Sequence, residues 1–303
     1  MISSFQWIIP ALIAAFAQAA SPLICERFSV QPMVALWWMR LVGILGILPF
    51  ALATPAPQNP IFYILILIGA VIFSYSDIIR TNVAAKNGAG IVTRLDPLSV
   101  ALTFVLWTGL NPKQLHDYLM HPMQFLGMSL SLMGTVYFAL RLGKCKINRT
   151  AINTLIPQLL LSAIGIILGK YAMNLTNPQS GAVYYALVQC GFVWLIYIGL
   201  QISPLAHQKP HLVPKISDLF TRISVLSGVL CGLAWLLHTP MKWYAIAQVS
   251  NPAYITIIGL SAPFWVLLFY RLIGKKEEGD VKSGLGIVIC TAIMIYFCIL
   301  EQH

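Results

Sequence analysis

Arg94 and Asp96 lie two residues apart in an otherwise apolar stretch and directly precede Pro97. A charged side chain within a bilayer costs about 3 kcal/mol on insertion scales and usually turns toward a cavity or a partner. The guanidinium could therefore bind an anionic group, with the Asp96 carboxylate as its counter-ion or as a proton carrier. Alternatively both side chains snorkel to the interface or brace a helix break, because a proline ring removes one backbone donor. Residues two apart do not share a helix face, so separate partners on neighbouring helices are expected for the two charges. If Arg94 holds the substrate, Arg94→Ala weakens binding while leaving the protein folded.

Four further groups of residues could do chemistry. His238, between Trp235 and Pro240, is the side chain near mid-membrane whose ordinary titration range permits proton exchange. It either couples protons and binds substrate, or stays neutral against a carbonyl freed at the Pro240 kink. Arg40, after Trp37 and Trp38, either lines a cavity or has a structural role. Lys170 is a weaker candidate, since its long stem lets it snorkel. Tyr75 and Trp265 are the aromatic candidates for a cavity wall; other aromatic residues near helix ends read as interfacial anchors.

The elements that must carry these residues are membrane helices. Hydrophobic residues make up 58% of the 303 and charged residues 9%, a composition that defines an integral membrane protein. Ten apolar runs approach or exceed the length needed to cross the hydrocarbon core: 6–25, 32–52, 60–79, 88–110, 122–140, 151–173, 179–201, 221–241, 252–272 and 283–300. The fold expected is an all-α membrane protein of ten helices in two inverted five-helix repeats, residues 1–143 and 150–303, within one membrane domain. Residues 88–141 and 252–300 carry the clearest repeat. Each copy has a Gly-rich entry and an apolar run broken at a proline, Leu95-Asp96-Pro97 or Leu260-Ser261-Ala262-Pro263. Each then has a polar turn, in the second copy Gly274-Lys275-Lys276-Glu277-Glu278, and a closing apolar run with glycines. Duplicated broken helices are where transporters commonly place substrate.

Of the 19 Lys and Arg, fourteen fall in alternate loops on one face, whereas only Lys113 and Lys242 fall on the other; Arg40, Arg94 and Lys170 lie within helices. The positive-inside rule makes the rich face cytoplasmic and both termini extracytoplasmic, with an uncleaved first helix, in a bacterial inner membrane. It also accounts for the net charge of +10 without nucleic acid. The six cysteines are scattered and read as small buried side chains. Gly165 and Gly169, and Gly228 and Gly232, have the spacing that lets helices approach closely. The sequons at Asn148 and Asn174 are discounted, the first on the expected cytoplasmic face and the second against the membrane.

The segment Leu95-Asp96-Pro97-Leu98-Ser99-Val100-Ala101-Leu102, its counterpart Leu260-Ser261-Ala262-Pro263-Phe264-Trp265-Val266-Leu267, the charged turn after it and the glycine-bearing closing helices resemble the drug/metabolite transporter superfamily, in its EamA-like ten-helix branch. The resemblance spans nearly the whole chain and is clearest from Tyr244 to Tyr296. It implies a central cavity lined by helices one, three, four, six, eight and nine, and transport of metabolites, amino acids, nucleotide derivatives or drugs. It also implies that a basic residue at Arg40 can persist without touching substrate. The chain departs from the family pattern in its termini, which carry no Lys or Arg, and in its reversed charge bias.

The function expected is secondary transport of a small anionic or zwitterionic organic solute by alternating access, with coupled protons as a further partner and a monomer or homodimer as the working unit. A lipid or lipid-phosphate flippase is the alternative. An embedded enzyme is disfavoured because H-E-x-x-H, G-x-S-x-G and phosphate-loop motifs are absent from the sequence, so no cofactor or metal is expected.

Overall fold

The computed structural model describes residues 6–29, 31–142, 149–203, 214, 216–272, 274 and 280–301. The junction at 143–148 with Cys145 and Asn148, the turn residues 275–278 and His303 lie outside the described residues. The helices are α1 (Ile8–Phe28), α2 (Pro32–Leu52), α3 (Pro60–Asn87), α4 (Ala89–Leu110), α5 (Pro112–Met120), α6 (Pro122–Arg141), α7 (Arg149–Met173), α8 (Pro178–Ile202), α9 (Ile216–Leu219), α10 (Arg222–Ala247), α11 (Ala253–Gly259), α12 (Ala262–Leu272) and α13 (Val281–Glu301). There is no strand among the described residues. Ten segments of this set are long and apolar enough to cross a membrane, with α11 and α12 together forming the ninth.

One dipeptide starts most helices on one face. Asn59-Pro60, Asn111-Pro112 and Asn177-Pro178 open helices whose first turns the asparagine caps, and Asn251-Pro252 stands just before α11. Their side-chain oxygens accept from Ile61 N at 3.0 Å, Gln114 N at 3.4 Å, Gln179 N at 2.9 Å and Ala253 N at 2.9 Å. The proline costs nothing there, because a first-turn N–H has no intrahelical partner to lose. On the opposite face Thr221 caps α10 through Ser224 N, and Asp280 caps α13 through Lys282 N. The hydrogen bond from Ser283 holds the exposed Asp280 carboxyl below its ordinary range.

The two expected helix breaks differ. At the ninth segment the chain does break: Leu260 N and Ser261 N bond to carbonyls three residues back, and Ser261 Oγ donates to Ile258 O at 2.8 Å. Pro263 then falls in the first turn of α12, where its missing N–H is harmless. The fourth segment does not break. Pro97 is the ninth residue of α4, and the helix continues through it to Leu110. The expected polar turn after α4 is also a helix, the amphipathic α5. Its Gln114 accepts from Trp107 Nε1 at 2.6 Å and donates to Tyr118 OH at 2.8 Å, which in turn meets Tyr254 OH at 2.6 Å. This buried chain of polar groups ties the end of α4 to α11.

Packing follows a regular scheme. α1 runs along α10 and α3 along α7; α2 packs on α8 and α10, α3 on α8, and α6 on α13. Numbering the ten membrane segments in order and exchanging each with the one five places away turns the α1–α10 contact into α7–α3. It turns α2–α10 into α8–α3, and returns α2–α8 and α6–α13 to themselves. Close approach depends on the paired glycines. A Cβ on Gly228 would come within 2.1 Å of Trp38 Cβ, and one on Gly169 within 2.0 Å of the Trp243 ring. Cys25, Cys190, Cys231 and Cys298 are buried and Cys290 half-buried, all without a disulfide. Ile9, Leu45, Ile64, Val105, Met133 and Leu195 point outward, an apolar surface suited to acyl chains rather than water.

Candidate functional site

A cavity of about 180 Å3 lies at the centre of the bundle. It is bounded by α1, α3, α4, α7, α10 and α11, with Arg40 of α2 and Gln189 of α8 completing the wall. In segment order these are helices one, three, four, six, eight and nine, joined by two and seven. Small residues on α1, from Ala11 to Ala17, leave the space, while Phe73, Trp235 and Trp243 supply aromatic surface.

The cavity is charged. Arg40, Arg80 and Lys242 face Asp77 and Asp96. Arg40 is buried on α2, where its guanidinium binds the Asp77 carboxylate, lies 3.9 Å from Cys190 Sγ and sits 5.4 Å from the centre of the Trp235 ring. Arg80 Nη2 donates to Asp96 Oδ2 at 2.7 Å, joining α3 to α4. The first pair ties α2 to α3 as well, so the two ion pairs link three consecutive segments around the space. Gln158 of α7 donates to Ser162 Oγ at 2.9 Å and to Ser76 Oγ at 3.3 Å, leaving its Oε1 without a partner among the described residues.

His238 Nδ1 lies 2.9 Å from Ala14 O. A carbonyl can only accept, so Nδ1 carries the proton and Nε2 is the remaining acceptor in the neutral ring. The carbonyl is that of α1; the second of the two sequence readings of His238 places it against a carbonyl freed by Pro240 within α10 itself.

Of the residues singled out from sequence, Arg40, Asp96 and His238 line the cavity. Arg94, Lys170, Tyr75 and Trp265 do not. Arg94 is buried and engaged within the fold. Tyr75 is 56% exposed on the outer surface, and Trp265 packs edge-on against Phe16 and donates to Ser261 Oγ.

Lys170 is buried rather than snorkelling. Its ammonium donates to Ile246 O at 3.0 Å and Val249 O at 2.7 Å, carbonyls in the last turn of α10 and just beyond it. A cation there complements the helix dipole and satisfies acceptors that the last turn leaves open. Lys170→Met should therefore destabilise the protein by about 2 kcal/mol, read as a melting temperature several degrees lower in detergent. Unchanged melting would show that the two carbonyls find other donors.

Sequence reasoning assigned Arg80 and Lys242 to loops. The structure extends the third helix to Asn87 and the eighth membrane segment to Ala247, placing both within helices long and apolar enough to cross a membrane and on the cavity. A signal existed for Arg80, since Asp77 and Arg80 are three apart and share a face of one helix. For Lys242 the signal was the apolar run Trp243–Ala247, which continues α10 beyond it.

No family model matches the chain, and no curated protein matches it. Seventeen chains of solved structures do match. One of them, whose description names no activity, aligns over 98% of this chain and 97% of its own at a TM-score of 0.54 and 12% identity. That likeness is one of fold. Fold and cavity together define an all-helical integral membrane protein with a charged central cavity.

Proposed function

We infer that the protein is a secondary transporter of a small anionic or zwitterionic organic solute, of the drug/metabolite transporter type, working by alternating access. The observation that carries this reading is the cavity itself, in which five charged side chains from four membrane segments surround a central space. Groups so costly to place in a bilayer are concentrated where a polar solute would cross. The contact scheme that survives exchange of the two halves supports two related five-helix repeats, the architecture in which one half rocks against the other. At about 180 Å3, the space falls below the roughly 300–1,000 Å3 of drug-sized sites, which favours a small metabolite over a lipid.

Flux in vesicles tests the reading. The purified full chain should exchange labelled amino acids or organic anions down a solute or proton gradient with no nucleotide present. An absolute nucleotide requirement, or lipid scrambling without solute flux, would overturn it.

Orientation can be checked separately. Placing Arg80 and Lys242 on the cavity removes one charge from each face, leaving thirteen Lys and Arg against Lys113 alone. Both ends of the chain should then face away from the cytoplasm. A fusion at His303 should be active with a periplasmic reporter and silent with a cytoplasmic one; the reverse pattern in intact protein refutes the orientation.

A further inference from the structure

We propose that Lys242 is the anion anchor of the cavity, its ammonium taking the single carboxylate of a small cargo. The proposal deepens the transporter reading and rests on it only for the fate of the cargo, not for its binding.

Charge pairing carries the argument. Arg40 is bound to Asp77 and Arg80 to Asp96, so both cavity carboxylates are already taken by arginines. Lys242 makes no ion pair and no hydrogen bond among the described residues; its ammonium stands 5.9 Å from the Trp243 ring centre, a distant cation–π contact. Arg80, Asp96 and Asp77 all lie within its electrostatic reach, the first repelling it. Counting Arg and Lys against Asp, three cations and two carboxylates leave the cavity one positive charge in excess, and that excess sits on the cation without a carboxylate among the described residues.

An uncompensated ammonium on the wall of a cavity inside the bundle gains most from an anion brought into contact with it. One carboxylate cancels the excess, whereas a dianion would leave a negative charge in its place. A neutral amide of the same shape would leave the ammonium uncompensated. The polar atoms on the wall that can meet the rest of the cargo include His238 Nε2, since Nδ1 is committed to Ala14 O, and Gln158 Oε1, which has no partner among the described residues. An acceptor such as Gln158 Oε1 suits a hydroxyl beside the carboxylate.

The test is binding to the full-length protein in detergent, followed by melting temperature. The probes are three-carbon compounds matched in size: propionate and lactate, with propionamide, lactamide and propylamine as their uncharged and cationic counterparts and malonate as the dianion. The carboxylates with one negative group should raise the melting temperature in a saturable way, and the amides, the amine and malonate should not. Lys242→Met should weaken carboxylate binding at least about 30-fold, with Lys242→Arg retaining part of it because the charge remains. Lys242→Gln stands in should the methionine variant fail to fold. Equal shifts from carboxylates and amides, carboxylate binding untouched by loss of the charge, or no shift from any carboxylate would each overturn the proposal. Lys242-dependent binding in a protein that shows no flux would keep the anchor and remove the transport reading. Flux unaltered in Lys242→Met would do the opposite.

Discussion

Asp77→Leu alone is expected to prevent the folded protein from accumulating, and Arg40→Leu combined with Asp77→Leu to bring it back. The Arg40 side chain is 3% exposed and its counter-ion is the Asp77 carboxylate. Removing that carboxylate leaves a guanidinium with the Cys190 thiol, the Tyr197 hydroxyl and the Trp235 ring as neighbours in place of a counter-ion. Stranding one member of a buried pair costs about 3–5 kcal/mol, whereas replacing both by apolar groups of similar size is close to neutral. Where net stability is about 5 kcal/mol, the low end of the ordinary range, the single change is enough to empty the folded state during synthesis. Size-exclusion profiles of detergent-extracted full-length protein read the result directly. A monodisperse Asp77→Leu protein at normal yield would show that the pair does not hold α2 to α3. Flux is measured apart from this, because Asp77 also borders the cavity and the double variant changes its charge distribution.

The ten segments were legible because bilayer thickness imposes a length on every one of them, and the Asn-Pro starts mark one end of several. Where the reading slipped, helix length was the reason. Windows of about 20 residues end at residue 79 and residue 241, but α3 has 28 residues and α10 has 26. Each continues past the apolar window because its last turns face protein or cavity instead of lipid, and there a charge such as Arg80 or Lys242 is compatible with helix. Pro97 and Pro263 show a different limit. Both sit in matching sequence contexts, but only the second follows a serine whose side chain and neighbouring amides supply the bonds for a break. Which polar residues meet was beyond the sequence altogether. Arg40 and Asp77, 37 positions apart, are joined by the packing of α2 on α3, and nothing local in either helix encodes that meeting.

Arg94→Ala and Asp96→Ala, two positions apart, are expected to fail in different ways. An α-helix turns about 100° per residue, so the two side chains point roughly 200° apart. The structure directs Asp96 to the cavity, where it binds Arg80, and places Arg94 off it, 3% exposed and engaged within the fold. Truncating Arg94 removes a long packed stem together with a buried charge from its partners, at a cost of about 3 kcal/mol or more. Yield and monodispersity should drop, and Arg94→Lys should recover only part of the loss because an ammonium lacks the planar fork. Asp96→Ala leaves Arg80 unpaired, but its side chain is 25% exposed beside the cavity, where water can solvate it. That protein should fold at near-normal yield while flux in vesicles falls on the order of 100-fold, the equivalent of one lost charge-assisted contact. The opposite pattern, a well-folded Arg94→Ala protein with cargo affinity lost and an Asp96→Ala protein with normal flux, would return Arg94 to the binding site and require the cavity wall at α4 to be turned by half a helix.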